Sequence, residues 1–264
     1  MNADWLGLEG KTCVVMGAGR GIGEAIAAGL HAAGGRVAVV DHDLELAEGA
    51  AGRIGDGALA LRCDISNEDD VARTAREIEA ALGACDVLVN NAMFFAPASL
   101  LETNFGDWNR NLAINLTGYY ISSMAFGRQM MAKGGGAIVH TGSLASEFPQ
   151  GSGVDYTASK AGIAGLSRQI AIEWGPDGIR SNTVHPGLTR TPRFEIRYQD
   201  PVALAAREKM TALNRVGQPI DIANAAVFLA SARASYITGI DFIVDGGLRC
   251  KLFDLVPQVD VRKQ

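Results

Sequence analysis

The sequence predicts an α/β protein built on a doubly wound parallel sheet of about seven strands, with helices on both faces. Short apolar, β-branched runs alternate with longer helical patterns along the chain. Runs such as VAVV (37–40) and VLV (87–89) are apolar throughout, as parallel strands covered on both faces require. No low-complexity linker or repeat period divides the 264 residues, so residues 1–264 read as a single domain. Strand, helix and strand at this rhythm imply right-handed crossovers.

The first strand, TCVVM (12–16), runs straight into GAGRGIG (17–23), and a helix follows over about 22–33. Gly17, Gly21 and Gly23 let the backbone approach a pyrophosphate, and the helix N-terminus offers unpaired N–H groups and a positive dipole end. Placed between strand one and helix one, the turn points to a dinucleotide. Gly19, Arg20 and Ile22 complete the turn.

Strand two, RVAVVD (36–41), ends on Asp41, 18 residues after Gly23, and a helix is expected over about 43–54. A carboxylate there can accept from both adenosine ribose hydroxyls and would repel a 2′-phosphate. At ~4 Å and an effective dielectric of ~20, each unit of like charge costs roughly 4 kcal/mol. Arg20 could receive that phosphate, but Asp41 lies at the ribose itself, which favours NAD over NADP. His42 adds only a weak counter-signal.

Strand three, ALALRC (58–63), leads to Asp64 and Ile65, placed to flank the adenine, and to a helix over about 67–82. The alternative for Asp64 is a helix cap, which Ser66 or Asn67 can provide equally well. Strand four, DVLVNN (86–91), brings Asn90, Asn91 and Ala92 to the carboxyl edge of the sheet, where ligands of such folds bind.

A long helix over about 104–132 carries Asn115 in a mostly buried-looking stretch, NLAINLTGYYISSM. Strand five, GAIVHTG (136–142), stops just before Ser143. The helix 155–174 opens with YTASK, and an i, i+4 pair shares one helix face, so Tyr156 and Lys160 project together. Ser143 lies thirteen residues before Tyr156, at the same sheet edge, so hydroxyl and phenol can converge on one substrate oxygen.

A free phenol has a pKa of ~10, and moving it to ~7 needs about 4 kcal/mol of differential stabilisation. One ammonium at ~4 Å and effective dielectric ~20 supplies roughly that much. The set fits acid–base chemistry at a carbinol.

Strand six, IRSNTVH (179–185), ends at Pro186 and Gly187. The stretch 187–214 then breaks the rhythm, as lids and binding loops do, although a surface helical insertion is the alternative. A helix over about 219–231 and strand seven, DFIVDG (241–246), complete the pattern. His140 and His185 lie near the Ser143 edge, but no G-x-S-x-G elbow and no carboxylate partner is evident, so they read as core or pocket-lining residues.

Composition narrows the function classes. Net charge is 24 − 29 = −5, and no Lys/Arg block exceeds a dipeptide, which argues against nucleic-acid binding. Cys13, Cys63, Cys85 and Cys250 form no C-x-x-C pair and read as reduced core or near-core thiols, without zinc or disulfides. The N-terminus lacks a signal-peptide pattern, and no apolar run approaches ~18 residues. A cytoplasmic protein with no membrane partner is expected.

Jointly, the G-x-x-x-G-I-G turn, Asn90-Asn91-Ala92, Asn115, Ser143, the Y-x-x-x-K pair, Pro186-Gly187 and DGG (245–247) resemble the short-chain dehydrogenase/reductase family over about 8–247. The resemblance implies a one-domain Rossmann-type fold, usually a homotetramer (or a dimer), and nicotinamide-dependent oxidation of alcohols or reduction of ketones. It implies Tyr156 as acid/base, Lys160 as its activator, Ser143 positioning the substrate oxygen, and Asn115 holding a water in a proton relay. Asn90, Asn91, Ala92 and the segment Pro186, Gly187, Thr189 and Thr191 would contact the cofactor. Met16 and Met93 depart from the family pattern, which usually has threonine and glycine there.

Substrate contacts are expected from Met93, Phe94, Phe95, Leu144, Ala145, Phe148, Leu188 and the lid. The aromatic residues suggest an apolar or cyclic substrate. Arg190, Arg193 and Arg197 could bind a carboxylate or phosphate, but a solvated loop surface is the simpler reading. The rivals are an NADP-dependent 3-oxoacyl-carrier-protein reductase, disfavoured by Asp41 and the acidic balance, and a non-catalytic nucleotide sensor, disfavoured by the complete set around Tyr156. The tail 248–264 is expected to pack across a subunit interface.

Overall fold

The computed structural model describes residues 4–251. Seven parallel strands form one sheet in the order β3-β2-β1-β4-β5-β6-β7. They are β1 (Thr12–Met16), β2 (Arg36–Asp41), β3 (Leu59–Arg62), β4 (Val87–Asn90), β5 (Gly136–Thr141), β6 (Ile179–Pro186) and β7 (Asp241–Val244). Each expected strand is present, with ends moved by no more than two residues. The order reverses at β1, which pairs with both β2 and β4. That switch point opens a crevice at the carboxyl ends of the strands.

The helices are α1 (Gly21–Ala32), α2 (Leu44–Ile54), α3 (Glu68–Leu82), α4 (Phe105–Leu112), α5 (Gly118–Lys133), α6 (Val154–Trp174), α7 (Pro201–Met210) and α8 (Pro219–Ala230). Alternate residues of the all-apolar strands feed two separate cores. Val15, Val37, Val39 and Val89 pack with α1 and α8, whereas Val14, Val40, Leu88 and Ile138 pack with α3, α5 and α6. This two-sided burial is why those strands show no polar alternation.

Three expectations need correction. The helix expected over 104–132 is interrupted by a π-helical turn, Ala113–Thr117, closed by Gly118 N–H donating to the Ala113 carbonyl. Such turns are frequent at functional sites, and this one holds Asn115. The stretch 187–214 is largely helical, with a 3-10 turn at Pro192–Tyr198 and then α7, whose first turn is capped by Asp200. Cys250 is exposed, unlike the three buried cysteines, because it follows the last strand at the protein surface. Of the C-terminal tail, residues 252–264 lie outside the described residues. Among the described residues no helix is long and apolar enough to cross a membrane.

Candidate active site

A cleft of about 1000 Å³ runs along the carboxyl edge of the sheet, from the first turn to the segment 187–198. At one end lies the glycine turn. Gly17 adopts φ +78, and a Cβ there would sit 2.5 Å from the Ala92 backbone. Arg20 caps α1 with its backbone alone and forms no side-chain cap bond, whereas Asp43, Asn67 and Asn104 cap α2, α3 and α4 with theirs. The first N–H groups of α1 therefore face the cleft without a competing side chain. Asp41 sits beside the turn, with Oδ2 accepting the Gly19 N–H at 2.9 Å and Oδ1 2.8 Å from His42 Nδ1. An uncapped helix N-terminus next to a buried carboxylate fits the diphosphate and ribose of a dinucleotide.

Arg20, Gly21, Ile22, Asp64, Ile65, Asn91 and Ala92 also line this half of the cleft. Gly19 and Gly23 do not; they shape the turn instead. A Cβ on Gly23 would meet the Gly17 carbonyl oxygen at 2.1 Å, and one on Gly19 would meet Asp41 Oδ2 at 2.8 Å. Asn90 is also absent from the cleft. As the last residue of β4 it points into the helix layer, where Ser122 Oγ donates to its Oδ1 at 2.7 Å. Asn91 Nδ2 donates to the Gly17 carbonyl at 2.7 Å and braces the turn that Met16 leaves without a hydroxyl. Asp64 spends Oδ1 on Ser66, while Asn67 caps α3.

At the other half, Ser143, Tyr156 and Lys160 line the cleft with Pro186, Gly187, Thr189 and Thr191. Ser143 follows β5, and its Oγ accepts the Ala145 N–H at 3.1 Å. Lys160 is fully buried, and its Nζ donates to the Thr141 carbonyl at 2.7 Å. Nζ also lies 5.3 Å from the Tyr119 ring centre and 5.6 Å from that of Tyr156. Asn115 is absent from the cleft lining. Its side chain clamps Phe94, accepting the Phe94 N–H at 2.7 Å and donating to the Phe94 carbonyl at 2.8 Å. The clamp sets the path of the chain that carries Met93, Phe94 and Phe95 past the phenol.

Electrostatics here depart from expectation. Burial pushes the Tyr156 phenol above its ordinary pKa, while Ser143, Arg193 and Arg197 pull it down. Burial also lowers Lys160 from 10.5 to about 7. The cations that lower the Tyr156 phenol are Arg193 and Arg197, on the turn Pro192–Tyr198. His140 is lowered to about 3, first by burial and then by Lys160, and stays a neutral core residue.

His185 has a role that its sequence context hid. Its Nε2 lies 3.1 Å from Asp241 Oδ1, and its Nδ1 lies 2.8 Å from the Ser143 carbonyl oxygen. A carboxylate–histidine–serine chain thus exists, but it ends on the serine backbone rather than its hydroxyl. It braces Ser143 and does not activate a nucleophile. The expected substrate contacts Met93, Phe94, Ala145, Phe148 and Leu188 line the cleft, and Phe95 packs edge-on against Tyr156 with ring centres 5.1 Å apart. Arg190 is held by Glu195, whereas Arg193, which is exposed, and Arg197, which is half-buried, line the cleft.

A family model described as enoyl-(acyl carrier protein) reductase matches residues 17–249. The chain is 39% identical to D-threitol dehydrogenase of Mycolicibacterium smegmatis over 247 residues, covering 92% of this chain and 95% of that protein. It is 37% identical to a human 3-oxoacyl-[acyl-carrier-protein] reductase, covering 90% and 98%. A solved gluconate 5-dehydrogenase from Burkholderia cenocepacia, in complex with NADP and tartrate, superposes with a TM-score of 0.89 at 32% identity, covering 95% of this chain and 99% of that one. With the cleft, the glycine turn and the Ser143–Tyr156–Lys160 grouping in place, these matches show that the chain belongs to the short-chain dehydrogenase/reductase family.

Proposed function

We propose that the protein oxidises a secondary hydroxyl of a small polyhydroxylated compound, or reduces the matching ketone, using NAD(H) in preference to NADP(H). The chain is an oxidoreductase acting on CH–OH groups; substrate and nucleotide are the finer part of the reading. One observation carries it: Ser143, Tyr156 and Lys160 line a single cleft whose other end is a phosphate-binding turn.

The nicotinamide, when bound, supplies the hydride acceptor or donor. The protein's part is to hold the alcohol and move its proton. Ser143, fixed by His185 through its backbone, positions the substrate oxygen. Tyr156 accepts the hydroxyl proton during oxidation and returns it during reduction. Lys160 and the lid arginines stabilise the phenolate form, and Asn115 keeps the Phe94 backbone in place beside it. In this reading Thr189 and Thr191 hold the nicotinamide end of the cofactor, and Asp41 meets the adenosine ribose.

The threitol-oxidising relative supports a polyol-like substrate over an acyl carrier. The net charge of −5 gives the chain no overall attraction for an acidic carrier protein. Arg20 lines the cleft near Asp41 and favours a second reading, in which NADP is used. The homotetramer that the family resemblance implies and the cytoplasmic location expected from the cysteines and the N-terminal pattern belong to the same proposal; light scattering tests the assembly.

The deciding experiment follows reduced-nicotinamide absorbance with NAD and NADP across polyols, hydroxy acids and ketones, with Tyr156→Phe alongside. Turnover of a polyol or hydroxy acid, lost by at least ~10³-fold in the variant with NADH binding intact, is the expected result. A fully active Tyr156→Phe enzyme would overturn the mechanism.

A further inference from the structure

We infer that the substrate end of the cleft holds an anion subsite formed by Arg193 and Arg197, which selects substrates carrying a carboxylate or phosphate near the reacting hydroxyl. The inference rests on the oxidoreductase reading above and specifies its substrate class.

Both arginines lie on the 3-10 turn Pro192–Tyr198 and line the cleft. Aromatic rings hold them in place. Arg197 Cζ lies 4.4 Å from the Phe194 ring centre and 5.9 Å from that of Phe95. Arg193 Nη2 donates to the Phe95 carbonyl at 3.1 Å. Phe95 in turn packs edge-on against Tyr156, at 5.1 Å between ring centres. The guanidinium groups are therefore anchored one ring away from the phenol.

Their charges are uncompensated where neighbouring charges are not. Arg190 pairs with Glu195, and Arg215 pairs with Asp221 at 2.7 Å. Among the described residues, neither Arg193 nor Arg197 has a carboxylate within ion-pair distance. Arg110, stacked over Phe94 with Cζ 4.6 Å from its ring centre, is a further guanidinium on the cleft wall. The acidic residues lining the cleft, Asp41 and Asp64, belong to its opposite half. A guanidinium presents a planar fork that matches a carboxylate or phosphate, and stacking on an aromatic ring leaves that fork free.

Two anions could satisfy the pair: a charged group of the substrate, or the diphosphate of the cofactor. Position favours the substrate for Arg197, because Phe95, one of the two rings beside it, packs against Tyr156; Arg193 also feels the charge of Arg20 in the α1 turn, so the diphosphate is the source the test must separate. Matched compounds separate the two sources. Threitol and threonate share a carbon skeleton and differ by one carboxylate; glucitol, gluconate and glucitol 6-phosphate extend the comparison to six carbons and to phosphate.

The test measures kcat/KM for each compound in the wild type, Arg193→Gln, Arg197→Gln and the double variant, with NADH affinity by fluorescence and tartrate affinity by calorimetry on the NADH-loaded protein. The wild type should prefer the charged member of a pair by at least tenfold. That ratio should fall at least tenfold in the double variant, chiefly through KM, with tartrate affinity falling in parallel and NADH affinity held within about twofold. A wild-type preference for the neutral members, or a ratio unchanged in the double variant, overturns the subsite and leaves the oxidoreductase reading standing. A variant that loses NADH affinity but keeps tartrate affinity assigns the arginines to the diphosphate and also overturns it. If no alcohol or ketone is turned over, the oxidoreductase reading fails, and tartrate affinity alone decides: loss in the double variant supports the subsite, and equal or absent binding refutes it.

Discussion

The buried ammonium of Lys160 donates to the Thr141 carbonyl at 2.7 Å and lies 5.6 Å from the Tyr156 ring centre, with no carboxylate within ion-pair distance among the described residues. A charge held this way costs stability, and burial shows the cost by lowering its pKa from 10.5 to about 7. Between those values the unfolded chain binds more protons than the folded one, so stability rises with pH across that window. Lys160→Met should therefore abolish turnover yet raise the melting temperature. At about 1.4 kcal/mol per pH unit the upper bound on the gain is roughly 5 kcal/mol, and the orphaned Thr141 carbonyl takes back about 1–3 of it. The gain should be largest below pH 7 and shrink toward pH 10. A variant less stable than the wild type at pH 6.5 in calorimetry would sink this account.

In the proposed mechanism, the Tyr156 phenol should respond to the turn Pro192–Tyr198. Ser143, Arg193 and Arg197 lower the Tyr156 pKa against burial, with Lys160 and Tyr119 as its other titratable neighbours. Removing Arg197 leaves burial less opposed, so the phenol should titrate at higher pH. Oxidation of a neutral alcohol needs the phenolate, so the rising limb of kcat/KM against pH should move upward in Arg197→Gln, lowering the rate at neutral pH. Reduction needs the phenol, and its falling limb should move in the same direction. A pH–rate profile in both directions checks the sign.

Nucleotide choice should turn on one charge. Asp41 is held by the Gly19 N–H at 2.9 Å, so Asp41→Asn can keep an acceptor there while removing the charge. The ratio of kcat/KM for NADP to NAD should then rise by up to about 10³-fold, the order set by a like-charge contact of roughly 4 kcal/mol at an effective dielectric of ~20. Arg20 already lines the cleft, and in this reading it would be the partner of the 2′-phosphate. An unchanged ratio would show that Asp41 does not face the ribose.

Much of this site was readable from the sequence because it is encoded locally. The glycine turn sits between a strand and a helix adjacent in sequence, and Tyr156 and Lys160 share a face because they are one helical turn apart. What stayed hidden depends on distant pairing. The Asp241–His185–Ser143 brace joins residues 56 and 42 positions apart, and the Asp241 contact depends on the β6–β7 register, which places Thr183 opposite Asp241. Asn90 and Asn91 look alike in sequence, yet one ends in the helix layer and the other on the turn, a matter of which face the last strand residue presents. That Arg193 and Arg197 line the cleft was hidden because a 3-10 turn beside Phe95, 98 residues from Arg193, cannot be inferred from composition.

The glycines offer a final test, since their reasons differ. Gly23 lies in the first turn of α1, where a Cβ would stand 2.1 Å from the Gly17 carbonyl oxygen and 2.5 Å from Asn91 Nδ2. The carbonyl is backbone and cannot swing aside, so Gly23→Ala must displace the glycine turn. It should weaken NADH binding by at least tenfold and destabilise the protein by about 1–3 kcal/mol, as overpacking does. Gly52 in α2 and Gly165 in α6 lie inside helices, and a Cβ added to either would meet nothing within 4 Å. Alanine at either should stabilise by about 0.5–1 kcal/mol through the lower entropy of the unfolded chain, with NADH affinity unchanged. Denaturant melts and NADH fluorescence on the three single variants read both quantities, and a Gly23→Ala protein with wild-type NADH affinity would mean the turn can yield where its backbone contacts say it cannot.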